Sequence, residues 1–160
     1  MLNNLKLAGT SADKVADIIL THAHPIHIGG IVDANGDKVF TKDELYISKI
    51  ERGYWMAEGP DFSKGTKNAV ADFEIGFAKN ILGKVDQEHK FYGDGEDLFG
   101  FLKAELSPGH TPGHMIITVF SGEESLVHNQ EPNFRYSPFM NYWVLPDYSR
   151  KNLNPCKPLT

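Results

Sequence analysis

Five of the seven histidines in this 160-residue chain fall in two short stretches. His22, His24 and His27 lie in Thr21-His22-Ala23-His24-Pro25-Ile26-His27-Ile28-Gly29-Gly30. His110 and His114 lie in Ser107-Pro108-Gly109-His110-Thr111-Pro112-Gly113-His114. Neutral imidazole is a common zinc ligand, and a tetrahedral site gathers three or four donors from separate chain segments. On an extended strand end, the His-x-His spacing puts two imidazoles on one side, because side chains alternate with a period of two. A third donor on a distant, glycine-flanked loop completes the set, and Gly109 and Gly113 let that loop turn sharply enough to aim His110. A solitary histidine is more often an ordinary surface or core residue. A triple cluster after an apolar run, matched by a second Gly-His loop, points to metal ligation instead.

Positioning these side chains falls to the flanking segments. Residues 16–20 form a short apolar run rich in isoleucine, which predicts a buried strand running straight into the first cluster. Pro25 disfavours a helical His24, so residues 21–27 are expected as a loop at the strand end. Upstream, Leu2, Leu5 and Leu7 with Gly9 read as a helix closed by glycine. Downstream, Asn35-Gly36 is a hairpin signal between Ile31-Val32 and Lys38-Val39-Phe40. Residues 45–47 form a further strand and 49–56 a helix carrying Tyr54 and Trp55. Residues 67–82 predict an amphipathic helix presenting Val70, Phe73, Phe77 and Leu82 and ending at Gly83. Strands are expected over 89–92, 99–106, 115–120 and 125–128, with turns at Asp94-Gly95 and Ser121-Gly122. Strands and helices intermix, which says a layered α/β or α+β domain. Beyond Glu131, prolines at 132, 138, 146, 155 and 158 break up a segment whose apolar residues keep no period. Residues 132–160 are expected as loop, edge strand or poorly ordered tail.

The two histidine motifs resemble those of the metallo-β-lactamase-fold metallo-hydrolases. Residues 21–30 are similar to that family's T-H-x-H-x-D-H-x-G-G signature, and residues 108–114 to its second metal-ligand loop. The order and separation of the motifs fit, with a helical insertion between them. The resemblance covers residues 1–131 and implies a partial αβ/βα sandwich followed by the Pro/Asn-rich tail, 132–160. It implies a three-histidine zinc site of His22, His24 and His110, with His27 as a ligand of a second site. His114 matches no ligand of the family pattern and is expected to orient its loop by a hydrogen bond.

The chain also departs from that pattern. Ile26 stands where the family has an aspartate that binds the second metal and orients the attacking water; isoleucine can do neither. The metal-bridging aspartate that follows a later strand has no counterpart, and Glu131 is the substitute nearest the expected place. No histidine follows His128, and the family's opening hairpins are not represented, so a truncated member is expected.

Function follows from both sides. The resemblance implies a zinc-dependent hydrolase of a small ester, lactone or thioester, acting through a metal-bound hydroxide, since a metal lowers the pKa of its water to about 7. With Ile26 in place of aspartate its activity is expected to be impaired, with Glu131 as the candidate rescue base. The alternative is a non-catalytic zinc-binding or structural remnant of the fold. A binding module with vestigial histidines is a third reading, disfavoured because His22, His24 and His110 all persist. Tyr54, Trp55, Met56, Phe62, Phe73 and Phe77 could line a substrate pocket, but their helical spacing favours a place in the core.

Composition bounds these readings. The chain is 41% hydrophobic and 23% charged, with a net charge of -5, an ordinary globular balance with no basic footprint for nucleic acid or anionic lipid. No apolar run approaches the roughly 18 residues that span a bilayer, and residues 1–9 lack a signal-peptide core. A cytoplasmic protein with a small-molecule substrate is expected. The single cysteine, Cys156, cannot form an intrachain disulfide and is expected as a free tail thiol. Open sheet edges of a partial domain would favour a homo-oligomer.

Overall fold

The computed structural model describes residues 2–41, 44–63, 70–85 and 89–128, together with the strand backbone at 143–146. The frame is built on β1 (Val15–Leu20), which pairs in parallel with β2 (Glu44–Ser48). β2 pairs in parallel with β3 (His89–Tyr92), and β8 (Trp143–Pro146) closes the other side of β1 in antiparallel, giving the order β3-β2-β1-β8. All of β1 but Ala16 is buried. A strand covered on both faces needs an apolar run rather than an alternating one, and this is what residues 15–20 provide.

The two faces of that sheet pack against different layers. Ile18 and Leu20, with Leu45 and Ile47, meet Trp55 of α3 (Lys49–Met56) and Ala78, Ile81 and Leu82 of α4 (Ala71–Lys84). Ile19 and Tyr46 point the other way, joining Tyr92 against Leu98, Leu102, Ala104, Met115 and Ile117 of a second sheet. That sheet is antiparallel, in the order β4 (Asp97–Leu98), β5 (Leu102–Leu106), β6 (Met115–Ser121), β7 (Glu124–His128). The result is a helix–sheet–sheet stack, a layered α/β arrangement as the sequence predicts. Among the described residues, no helix is long and apolar enough to cross a membrane.

Several local expectations need correction. Residues 25–28 are not loop but a short helix, α2 (Pro25–Ile28), with His24 as its extended N-cap. Pro25 does keep His24 out of the helix, but its own missing N–H and fixed φ suit the first helical position. The strand expected over 99–106 is broken, because Phe99 (φ 60) and Gly100 (φ 78) turn the chain back to make the β4–β5 hairpin. α4 runs through Gly83 to Lys84 and buries Ala71, Ala78, Ile81 and Leu82, while Val70 and Phe73 are exposed. Small alanines let this helix lie close to the sheet, which rotates the larger Phe73 outward to pack on Phe77 at the surface. In the tail, the edge-strand alternative is the one observed for 143–146; Glu131 and Cys156 lie outside the described residues.

Candidate metal centre

β1 delivers the chain to the centre. Beyond Leu20, residues 22–24 continue without helix, leaving His22 buried and His24 half-buried. The rings of His22 and His24 stand edge to face with centroids 5.0 Å apart. His110 arrives from the loop between β5 and β6. Its Nε2 lies 2.9 Å from Nδ1 of His24 and 3.1 Å from Nε2 of His22. One ring nitrogen from each of the three lies within 4.8 Å of the others, a grouping that could hold a metal ion. Two nitrogens bound at about 2.0–2.1 Å in a tetrahedral site stand about 3.3 Å apart, so little movement separates this arrangement from a ligand set.

The electrostatics also suit a cation. Burial, then the neighbouring His27, His110, His24 and His114, holds the His22 ring far below its ordinary pKa. Burial and His110 lower His24 to about 4, and burial and His24 lower His27 to about 3. At neutral pH these rings are therefore uncharged, the form that carries a free lone pair. Thr21 Oγ1 sits 3.2 Å from Nδ1 of His22 and leaves Nε2 to face His110. His110 is exposed, so the group opens to solvent on one side.

His27, on α2, stacks edge to face on His22 with centroids 4.2 Å apart, beside the three-nitrogen group rather than in it. Its Nδ1 is buried without a hydrogen-bond partner among the described residues. Ile26 next to it is 83% exposed. His114 is buried, with Nδ1 3.2 Å from the Ser107 carbonyl, and its own carbonyl accepts from the Ser107 N–H at 2.8 Å. It thus ties the base of its loop. The two loops also meet directly, where the Met115 N–H donates to the Thr21 carbonyl at 3.0 Å.

Sequence reasoning missed Glu51. Its carboxylate, fully buried, accepts from the Ala23 N–H (2.9 Å), the Trp55 indole N–H (2.7 Å), the Thr111 hydroxyl (2.5 Å) and the Gly113 N–H (3.1 Å). Burial raises its pKa, and these hydrogen bonds oppose the shift. Ser48-x-x-Glu51 has the spacing of a capping box, and Ser48 Oγ does accept from the Glu51 N–H at 3.0 Å. That pattern predicts a glutamate folded back on its own helix; nothing local aims it at the histidine loops. Gly113 is explained by the same contact. A Cβ there would stand 2.1 Å from the Glu51 nitrogen, so the glycine serves close approach to α3. Gly109, by contrast, has φ +152 and does serve the turn.

Three comparisons with known proteins bear on this geometry. The sequence model of the metallo-beta-lactamase superfamily matches residues 1–128. Among solved structures the chain is similar to AidC, a dizinc quorum-quenching lactonase, with 36% identity and a TM-score of 0.71 over 79% of this chain and 44% of that one. It is similar to AbOPH, a hydrolase in the beta lactamase superfamily, with 32% identity and a TM-score of 0.68 over 79% and 44% of the two chains. A probable metal-dependent hydrolase from Staphylococcus aureus shares the fold at 21% identity, with a TM-score of 0.63 over 79% and 42%. No protein of curated function matches. The chain spans less than half the length of these solved structures.

Proposed function

The chain belongs to the metallo-beta-lactamase superfamily, and from that premise we propose that it is a zinc-dependent hydrolase domain for a small ester, lactone or thioester. The observation that carries this reading is the convergence of three imidazoles, His22, His24 and His110, from two loops onto one open-sided point. Zinc held there would supply Lewis acidity and bring the pKa of a water to about 7. The chain's own residues do the rest. Thr21 sets which nitrogen of His22 faces the site, and the Trp55 ring packs edge to face on His24 at 5.4 Å. His27, whose buried Nδ1 has no hydrogen-bond partner among the described residues, is a donor for a second ion. Similarity to AidC, whose structure holds the product N-hexanoyl-L-homoserine, favours a lactone among the substrate classes.

Ile26 limits this activity, since it offers neither a metal ligand nor a proton acceptor at the exposed position beside His27. The same observation supports the second reading, a zinc-binding domain with no turnover. Self-association is part of the proposal too: the edge strand β7 exposes Leu126 and Val127, and light scattering would read a dimer.

The test is metal content by elemental mass spectrometry beside hydrolysis of N-hexanoyl homoserine lactone. About one zinc per chain is expected, lost in His110→Ala. Turnover that rises in Ile26→Asp supports the enzyme. Bound zinc with no turnover in either protein supports the non-catalytic reading. A folded protein without zinc overturns both.

A further inference from the structure

We propose that Glu51 is the positioning residue of the metal centre, a single carboxylate that locks the His22–His24 loop to the His110 loop. The inference rests on the reading that these three histidines hold a metal. Oε1 of Glu51 takes the Ala23 N–H and the Trp55 indole N–H, and Oε2 takes the Thr111 hydroxyl and the Gly113 N–H. Four donors use the four lone-pair sites that an ionised carboxylate offers, and the three N–H groups cannot accept in return. The pattern therefore asks for a carboxylate and not for its neutral amide.

What these donors are decides the role. Ala23 lies between His22 and His24, Thr111 follows His110 directly, and Trp55 packs on the His24 ring. Glu51 thus holds a chain neighbour or a ring contact of every residue in the three-nitrogen group, yet sits outside that group. Ser48 strengthens the same junction, its hydroxyl donating to the Gly113 carbonyl at 2.9 Å. A fully buried charge is costly unless it is hydrogen-bonded, and an apolar side chain would fill this space without that cost. The carboxylate is accounted for if the two loops must be held in register, because only a two-oxygen acceptor can grip both at once.

Cobalt(II) tests this, because its absorption bands report the ligand geometry. The wild-type protein is compared with Glu51→Gln, Thr111→Val and the remote core variant Ile117→Val. Glu51→Gln should weaken cobalt binding about 10–100-fold and Thr111→Val about tenfold. At saturating cobalt, the Glu51→Gln bands should shift or broaden, which a residue that only adds stability would not cause. Ile117→Val should lower the unfolding midpoint and leave affinity and spectrum unchanged. If Glu51→Gln does not fold, Thr111→Val decides, since it removes one hydroxyl at nearly constant volume. Folded variants that bind cobalt within about twofold of wild type, with its spectrum, overturn the role of Glu51. A wild-type protein that binds no cobalt overturns the metal-site reading beneath it, an outcome separate from the first.

Discussion

The two loops that carry the candidate ligands are held in opposite ways. The first continues a buried strand, and His22 on it is inaccessible to solvent. The second closes on itself through Ser107 and His114, exposes His110, and docks on the body through Glu51 and Ser48. One loop is part of the core; the other is fastened to it. The geometry of the first is therefore protected by the stability of the whole sheet, and that of the second by a few hydrogen bonds.

Substitutions at the shared support should disturb both loops. Trp55→Ala removes a fully buried ring that packs on His24 and bonds Glu51, and should cost about 3–5 kcal/mol in denaturant unfolding. Gly113→Ala attacks only the fastening, because its Cβ would overlap the backbone of Glu51. It should cost about 1–3 kcal/mol and reduce bound metal in the same titration. The contrast is sharpest between His22→Ala and His110→Ala. Both should abolish stoichiometric zinc, but His22→Ala should also lower the stability of the metal-free protein by about 2 kcal/mol, while His110→Ala should leave it within about 0.5 kcal/mol. Equal losses of stability would mean that the second loop is core after all.

A smaller effect probes the first loop by pH. His24 and His27 have folded pKa values of about 4 and about 3, below the ordinary 6.5. The unfolded chain binds their protons first, so the stability they support is complete above about pH 6.5 and is lost as pH falls towards 4 and then 3. Glu51, with its raised pKa, works in the opposite direction and softens the decline. Denaturant midpoints of metal-free protein from pH 7 to 4 should fall, and the fall should be shallower in His24→Ala.

Much of the fold was legible because its signals are local. The apolar run of β1, the Asp94-Gly95 turn (Gly95 φ +73) and the helix over 49–56 each follow from neighbouring residues. The misreadings share a cause. Phe99 adopts a left-handed φ that its residue type does not announce, and the buried stripe of α4 passes through Ala71 and Ala78 rather than through its phenylalanines. Residue type suggests hydrophobic partners, but the distance to the sheet decides which of them fit.

For the site, the sequence by itself determined the candidate ligand types, their spacing and the isoleucine at position 26. Alternation along an extended segment is enough to pair His22 with His24. Bringing His110 within 2.9 Å of His24, across 86 residues, was decided only by the tertiary structure, through the pairing of β5 with β6 and the grip of Glu51. A carboxylate that serves two distant loops leaves no periodic or spacing signal, because on each loop it takes a backbone N–H, Ala23 or Gly113, of a kind that every sequence contains.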